Sequence, residues 1–248
     1  MSSDHPPQGF IRSVRLVHDQ DADRSAYPFN IPAVRAIDEI ALHPKVTFFV
    51  GENGSGKSTL IEAIAILAGF NAEGGSRNFN FATRRSESRL HSAMRLVRGY
   101  RREKTGYFLR AESFFNVATQ VDELGVTEGY GNTSLHEQSH GESFLALIKH
   151  RFKREGLYVL DEPEAALSPA RQLTLLARIH ELVGRGRSQF IVATHSPIVL
   201  AYPDAIIYHL SDEGIKPVAY EETEHFTLTR DFLVHRDRFF RELFDEGE

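Results

Sequence analysis

The sequence contains no cysteine, which excludes a disulfide framework, thiol catalysis and a cysteine-bound zinc site. It also lacks a long hydrophobic run, because the longest stretch without a charged residue, Ser188–Pro203, has only 16 residues and contains a histidine and two prolines. That stretch is too short and too polar to cross a bilayer. The N-terminus has no basic region followed by an apolar one, so we expect no signal peptide. These absences predict a cytoplasmic protein without membrane insertion.

Length, composition and charge are those of a globular protein with an uneven charge distribution. The chain has 248 residues, 41% hydrophobic content and a formal net charge of −5, which allows a sizeable core. Arg84–Arg110 carries nine basic and two acidic residues, whereas Glu221–Glu248 carries nine acidic residues and four arginines. A basic segment that contains aromatic residues is typical of nucleic-acid binding. A solvated basic face is the more common explanation, so nucleic acid stays an alternative partner.

Short apolar segments alternate with helical patterns along the chain. Strands are predicted at Ile11–Val17, Lys45–Val50, Tyr107–Arg110, Leu157–Leu160, Gln189–Ala193 and Ala205–His209. Helices are predicted at Lys57–Ala68, Ala111–Gln120, Glu142–Lys153 and from Ser168-Pro169 to near Gly184. Buried strands that alternate with helices indicate an α/β fold with a mainly parallel sheet.

The region between the two halves of this pattern is less regular. Asn71–Gly106 is polar and basic with little strand pattern, so we expect a helical or irregular subdomain there. Gly125–Thr133 contains three glycines and is predicted to be a loop. We therefore expect one domain over residues 1–248, with a helical and basic insertion at about 71–156 and an acidic C-terminal segment at 221–248.

A phosphate-binding loop of the form G-x-x-x-x-G-K-[ST] lies between a predicted strand and a predicted helix. It consists of Gly51, Glu52, Asn53, Gly54, Ser55, Gly56, Lys57 and Ser58, and Thr59 follows it. Glycines let backbone N–H groups turn toward phosphate oxygens, and the helix presents its positive end to them. Lys57 is expected to reach the β- and γ-phosphates, and the Ser58 hydroxyl to bind Mg²⁺. The loop predicts ATP binding.

Two carboxylates and a histidine follow later predicted strands. Asp161 and Glu162 come directly after Leu157–Leu160, at the strand end where open α/β sheets bind ligands. Asp161 is expected to hold Mg²⁺ opposite Ser58, and Glu162 to orient or deprotonate the attacking water. His195 follows Gln189–Ala193 and is expected to hydrogen-bond the γ-phosphate. The pattern predicts ATP hydrolysis with Lys57, Glu162 and His195 as catalytic residues.

One further segment precedes the predicted helix at Glu142–Lys153. Ser139 and Glu142 have the spacing of a capping box, which is a structural role. The same serine and the nearby Gly141, at a helix N-terminus, also offer a second anion-binding surface. Both interpretations fit the segment.

The order of phosphate loop, S-x-G-E segment, Asp161-Glu162 and His195 resembles the ATP-binding-cassette (ABC-type) ATPases. Ser139-His140-Gly141-Glu142 is similar to the core of that family's signature motif, and Ala165–Ser168 looks like the loop that follows the catalytic glutamate. Within the family, the chain is similar to short soluble ATPases, often labelled AAA-family, related to the SMC and DNA-repair branch. The resemblance covers about Ile11–Leu210.

This resemblance implies an ABC-type P-loop fold with a small helical or irregular subdomain and an N-terminal antiparallel β part. It implies Mg²⁺ as the cofactor that accompanies ATP. It also implies an ATP-dependent head-to-tail homodimer, with an unidentified protein partner. In that dimer the ATP of the partner would be contacted by Ser139, His140, Gly141 and Glu142.

The sequence departs from the family pattern at several positions. Gln138 replaces the usual leucine, His140 a usual glycine and Glu142 the usual final glutamine. No clear Q-loop glutamine is present, and Glu112 or Ser113 is the best-placed replacement. Tyr27 and Phe29 are the candidates for an adenine-stacking aromatic, and a role as an ordinary packed aromatic fits them equally well.

Three other functions compete with a dimerising ATPase. The ATPase subunit of a membrane transporter fits the signature and histidine, but the missing Q-loop glutamine argues against it. A nucleotide-gated module that binds DNA or RNA would use Arg84–Arg110. A small-molecule kinase would not need the signature segment, the carboxylate pair and the histidine together. A long coiled-coil insertion is excluded, because Gly69–Ser134 has only 66 residues and lacks sustained heptads.

Overall fold

In the computed structural model, the residues described are 9–17, 25–77, 88–111, 140–184 and 187–244. Within these ranges the strands are β1 (Ile11–Leu16), β2 (Glu39–Ala41), β3 (Val46–Gly51), β4 (Met94–Arg98), β5 (Thr105–Arg110), β6 (Gly156–Asp161), β7 (Gln189–Ala193), β8 (Ala205–Ser211) and β9 (Gly214–Val218). The helices are α1 (Pro32–Arg35), α2 (Lys57–Leu67), α3 (His140–Arg151), α4 (Pro169–Gly184), α5 (Pro197–Leu200), α6 (Glu224–Val234) and α7 (Arg236–Phe244). Short 3₁₀ turns lie at Arg89–Ala93, Pro163–Ala166 and Tyr220–Glu222.

The strands form two sheets. The larger has the order β5-β6-β7-β3-β8-β9, and its strands are parallel except for the final β8–β9 pair. The smaller has the order β2-β1-β4 and is antiparallel. The α/β fold with a mainly parallel sheet and an N-terminal antiparallel part, as expected from the sequence, is confirmed.

The central strands are buried on both faces because helices cover the large sheet on both sides. Every residue of β3, β6 and β7 is buried. Side chains alternate along β3, so Phe48 packs in the core cluster that holds Leu175 of α4, and Phe49 packs in the cluster that holds Leu60 of α2. Each such buried side chain contributes roughly 1.5–3 kcal/mol. This packing fixes the two helices relative to the sheet edge where the predicted site residues lie.

Most of the predicted elements are present with small shifts in their boundaries. The six predicted strands correspond to β1, β3, β5, β6, β7 and β8, and three of the predicted helices correspond to α2, α3 and α4. The predicted helix at Ala111–Gln120, apart from its first residue, and the predicted loop at Gly125–Thr133 lie outside the described residues.

The expectation of a helical or irregular subdomain at Asn71–Gly106 is wrong for Met94–Arg98. These residues form β4, which pairs antiparallel with β1 in a register that aligns Met94 with Leu16 and Leu96 with Val14. The arginines of β4 obscure the apolar alternation, and its partner strand lies about 80 residues earlier in the chain. Long-range pairing therefore decides a structure that local sequence does not show.

The start of the acidic C-terminal segment contacts the body of the domain. Thr223 caps α6 by accepting a hydrogen bond from the Phe226 backbone N–H at 3.4 Å. The Tyr220 hydroxyl donates to the Pro197 carbonyl at 2.9 Å, which joins the segment to α5. No helix among residues 9–17, 25–77, 88–111, 140–184 and 187–244 is long and apolar enough to span a membrane.

Candidate functional site

The glycine-rich loop that begins at Gly51 connects the end of β3 to Lys57, the first residue of α2. Gly51 lies so close to β8 that a Cβ atom there would be 2.3 Å from the Leu210 carbonyl oxygen. Gly56, directly before the helix, has a φ of 97°, which side chains rarely permit. The backbone path of the loop thus depends on glycine at both ends.

Lys57, the first residue of α2, points back into this loop. Its ammonium donates to the carbonyl oxygens of Gly51 at 2.9 Å and of Glu52 at 2.8 Å. Only 4% of the residue is exposed, and this burial lowers the pKa of the amine, while the carboxylates of Glu162 and Asp161 oppose the shift. Two of the three ammonium protons are used by the loop, so one is left for an anion.

A hydroxyl and a carboxylate meet beside this lysine. Ser58 donates a hydrogen bond of 3.1 Å to Oδ1 of Asp161, the last residue of β6. Hydroxyl and carboxylate oxygens are the protein ligands that Mg²⁺ prefers. The two residues that the sequence predicts as metal ligands are therefore adjacent in space, and their donor atoms suit that ion.

An ion pair behind the carboxylate was not predicted from the sequence. Arg110 ends β5 beside Asp161 in the sheet register, and its Nε lies 3.5 Å from Asp161 Oδ2. Its Nη1 also donates to Oε2 of Glu62 at 2.7 Å. Glu62 is buried in α2, and its other oxygen accepts from the Ser88 backbone N–H at 2.9 Å. Glu62 is a charged residue among the apolar residues of α2, and that position in the sequence indicates a buried partner.

Glu162 leaves the strand in a strained backbone conformation. Its φ is 51°, in the left-handed region, and its backbone N–H donates to the Ala193 carbonyl at 2.9 Å. The side chain is 39% exposed, and its Oε1 lies 3.5 Å from Nε2 of His195. The acid and the histidine that the sequence places in hydrolysis are thus neighbours, and water can reach the acid.

His195 is held on three sides. Its backbone N–H donates to Oε1 of Glu164 at 2.5 Å, and its Nε2 faces Glu162. Its Nδ1 lies 3.0 Å from Nε2 of His225, on α6. Burial, then the nearby His195 and Lys57, lower the pKa of His225. His225 was not among the predicted site residues, because nothing in its local sequence marks it.

An open cavity lies between α6 and the glycine-rich loop that begins at Gly51. Its volume is about 520 Å³. The residues that line it are Glu52, Asn53, His195, Glu224, His225, Leu228 and Thr229. The C-terminal helix therefore borders the same space as the loop and the histidine.

Gly141 and Glu142, at the end of the predicted signature segment, lie next to α4. Ser139 lies outside the described residues, and His140 is the first residue of α3. Oε1 of Glu142 lies 3.5 Å from Nη2 of Arg171 in α4. Gly141 is close to the same arginine, since a Cβ there would be 2.2 Å from Arg171 Nη1. The described residues Gly141 and Glu142 are therefore on the α4 side of the domain.

The two aromatic candidates for base stacking have different surroundings. Tyr27 is exposed and its hydroxyl lies 3.0 Å from Oγ1 of Thr59. Phe29 packs against a core cluster. Tyr27 is thus the aromatic residue beside the loop, and the Thr59 hydroxyl already has a partner. The Q-loop candidates Glu112 and Ser113 lie outside the described residues.

Two family models match the chain. One, described as an AAA domain, matches residues 30–147. The other, described as "AAA domain, putative AbiEii toxin, Type IV TA system", matches residues 115–201. The first match contains the loop, and the second contains Asp161 and His195. Among curated proteins, none matches the sequence.

Solved structures share the architecture at low sequence identity. The SMC head domain from Thermotoga maritima is 19% identical, with a TM-score of 0.47, over 84% of this chain and 99% of that chain. The cbiO1 protein from Clostridium perfringens, part of the ABC transporter complex cbiONQ, is 15% identical, with a TM-score of 0.51, over 95% of this chain and 99% of that chain. At this identity the second likeness shows the fold alone.

Proposed function

We propose that this chain is an ABC-type P-loop ATPase domain that hydrolyses Mg-ATP and uses the bound nucleotide to control its own dimerisation; the two matching AAA-domain models and the shared fold support the proposal. The observation that carries this proposal is the convergence at one sheet edge. Lys57, the Ser58–Asp161 pair and the Glu162–His195 pair come from the ends of three adjacent strands. Ligands of open α/β sheets bind at that edge.

Phosphate binding is assigned to the loop and its lysine. Backbone N–H groups of Gly51–Thr59 and the positive end of α2 surround the triphosphate. The remaining Lys57 proton donates to a β- or γ-phosphate oxygen, which adds a charge-assisted hydrogen bond in a buried setting. Its two bonds to loop carbonyls hold the ammonium in place before nucleotide arrives.

Ser58 and Asp161 are assigned as the residues that hold Mg²⁺. When bound, the ion neutralises charge on the phosphate oxygens. Arg110 contacts Asp161 from behind and is itself paired with Glu62, so the carboxylate is held in one orientation. This arrangement supports magnesium as the cofactor.

Hydrolysis is assigned to Glu162 and His195. The exposed carboxylate of Glu162 accepts a proton from the attacking water, as a general base. His195, whose Nε2 is 3.5 Å from that carboxylate, donates a hydrogen bond to the γ-phosphate. The two groups thus act on the nucleophile and on the phosphate that it attacks.

Dimerisation is proposed from the resemblance of Ser139–Glu142 to the signature motif of ABC-type ATPases; the described residues Gly141 and Glu142 lie beside α4. In a head-to-tail pair, the segment of one chain, Ser139–Glu142, faces the nucleotide held by the loop of the other. A symmetric pair would then bury two nucleotides. A helix N-terminus such as that of α3 suits the γ-phosphate.

Nucleic-acid binding gains little support from the basic segment. Of the nine basic residues in Arg84–Arg110, Arg98 pairs with the buried carboxylate of Glu103 and Arg110 pairs with Glu62. Ions that neutralise each other inside the protein do not attract a phosphate backbone. The pairing of these two arginines therefore weakens the case for nucleic-acid binding.

A phosphate-release assay tests the proposed function. Wild-type protein should release phosphate from ATP with Mg²⁺ and not with EDTA. Lys57→Ala should abolish release because it removes the only ammonium in the loop. Lys45→Ala, which truncates a half-exposed lysine just before β3, is the matched control and should behave as wild type. Equal rates in Lys57→Ala and wild type would overturn the assignment.

A further inference from the structure

We propose that His225 is a positioning residue for His195, which makes the C-terminal helix α6 a working part of the hydrolysis site; the inference rests on the proposed function. The role requires that His225 fix which ring nitrogen of His195 carries the proton. No sequence pattern near His225 indicates such a role.

The contact between the two imidazoles has the geometry of a hydrogen bond. His195 Nδ1 and His225 Nε2 are 3.0 Å apart, and the ring centroids are 5.2 Å apart with planes inclined by 50°. Two ring nitrogens at this distance need one N–H and one lone pair between them. Two imidazolium ions could not share the contact, since both nitrogens would carry protons.

The charges around the pair select one of the two possible proton arrangements. If His195 donated from Nδ1, its Nε2 lone pair would face the Glu162 carboxylate at 3.5 Å, which is repulsive. If His225 donates instead, His195 carries its proton on Nε2, and that N–H faces the carboxylate. Burial keeps the pKa of His225 low and favours its neutral, single-donor form. The second arrangement is therefore the stable one.

This arrangement leaves a buried donor aimed at the site. Within the part of the chain that the structure describes, His195 Nε2 is buried and has no hydrogen-bond partner, because 3.5 Å to Glu162 exceeds hydrogen-bond length. A buried donor without a partner is costly. An anion such as the γ-phosphate would satisfy it.

His225 is held at this distance by local contacts. The Tyr220 hydroxyl binds the Pro197 carbonyl, two residues beyond His195. Thr223, buried, caps α6 two residues before His225. The residues at the start of α6 are therefore bonded to the segment His195–Pro197, which contains the histidine that His225 orients. A movement of α6 would change the proton position on His195, which couples the C-terminal helix to hydrolysis.

The first test uses the full chain without nucleotide. Nitrogen-15 NMR of the imidazoles, with the His195 signals assigned by comparison with His195→Gln, should show the proton of His195 on Nε2. His225→Phe keeps a ring but removes the donor, so His195 should lose this single tautomer. His225→Gln supplies an amide N–H and should restore it. An unchanged His195 spectrum in His225→Phe would overturn the proposal.

The second test is steady-state ATP hydrolysis. In His225→Phe we expect kcat to fall about tenfold, the scale for losing a residue that orients a functional histidine, with KM for ATP little changed. His225→Gln should recover most of kcat. His235→Phe, the same change at an exposed histidine ten positions later in the sequence, should behave as wild type. Wild-type kcat in His225→Phe, with melting curves that show a folded protein, would refute the role.

The two tests separate this inference from the function on which it rests. A wild-type chain that releases no phosphate from ATP would overturn the proposed function. The NMR comparison needs no nucleotide, so it still decides whether His225 fixes the His195 tautomer.

Discussion

The Ser58 hydroxyl donates a 3.1 Å hydrogen bond to the carboxylate of Asp161, although the two residues are 103 positions apart in the sequence. The contact joins the first turn of α2 to the end of β6. A divalent cation bound by both oxygens would take the place of that hydrogen bond. This contact leads to separate predictions for substitutions of Asp161, of its neighbour Glu162 and of its ion-pair partner Arg110.

Asp161→Asn should weaken the response to magnesium. The amide keeps the shape of the side chain but removes the negative charge that a hard cation needs. We expect the Mg²⁺ concentration for half-maximal hydrolysis to rise about tenfold or more, which corresponds to about 1.4 kcal/mol or more of lost binding. Asp204→Asn, at a highly exposed aspartate, serves as the control. A Mg²⁺ titration of phosphate release that matches wild type would argue against a metal ligand at Asp161.

Glu162→Gln should separate nucleotide binding from hydrolysis. The amide retains the size of the side chain but cannot accept a proton from water. We expect hydrolysis to slow by roughly 10²-fold or more, the usual scale for loss of a general base, while Mg-ATP still binds. Binding of a fluorescent ATP analogue and single-turnover hydrolysis measure the two effects. If Asp161→Asn and Glu162→Gln both lost nucleotide affinity equally, the two roles would be wrongly assigned.

Bound ATP should hold two copies of the Glu162→Gln protein together. This variant should be monomeric without nucleotide and dimeric with Mg-ATP, because the trapped γ-phosphate contacts both chains. Ser139→Arg in the same background puts a bulky side chain where that phosphate docks, so the dimer should not form although the monomer stays folded. Light scattering with and without Mg-ATP checks both. A Glu162→Gln protein that stays monomeric at saturating Mg-ATP would contradict head-to-tail pairing.

Stability should depend on the buried ion pair behind Asp161. Arg110→Met leaves the Glu62 carboxylate buried without its guanidinium partner, and breaking such a pair costs about 3–5 kcal/mol. Combining Glu62→Gln with Arg110→Met removes the uncompensated charge of Glu62 but not that of Asp161, so it should recover part of the loss. Urea denaturation of the single and double variants measures both.

The matched control for that pair lies on the surface. Glu213→Gln breaks the exposed contact of Glu213 with Lys216 and should leave the denaturation midpoint unchanged, since exposed pairs contribute little. A double variant no more stable than Arg110→Met alone would show that charge burial is not the cause.

The parts of the site that could be predicted from sequence are those with a local pattern. The loop at Gly51–Ser58 has a fixed spacing, and its flanking strand and helix have their own periodicity. Asp161 and His195 each follow an apolar strand, and parallel strands end at a common edge of the sheet. Their proximity in space follows from that rule.

The remaining parts depend on pairing between distant segments. Glu62 contacts Arg110, which is 48 positions away in the sequence. His225 contacts His195, which is 30 positions away. Neither spacing is a motif, because the distance is set by how α2 packs against the sheet and how α6 packs against α5. β4 was missed for the same reason, since its partner is β1 and not a neighbour in sequence.

The position of β3 in the sheet has a consequence for synthesis of the chain. β3 is hydrogen-bonded only to β7 and β8 within the large sheet, and the earlier of these, β7, is made about 140 residues later. At cellular translation speeds this gap lasts roughly 7–28 s. During that time the apolar segment Val46–Val50 leaves the ribosome with both edges unpaired, as an attractive target for chaperones or for other nascent chains. A ribosome-bound fragment that stops before Gln189 should therefore be recovered with a chaperone and should not retain nucleotide.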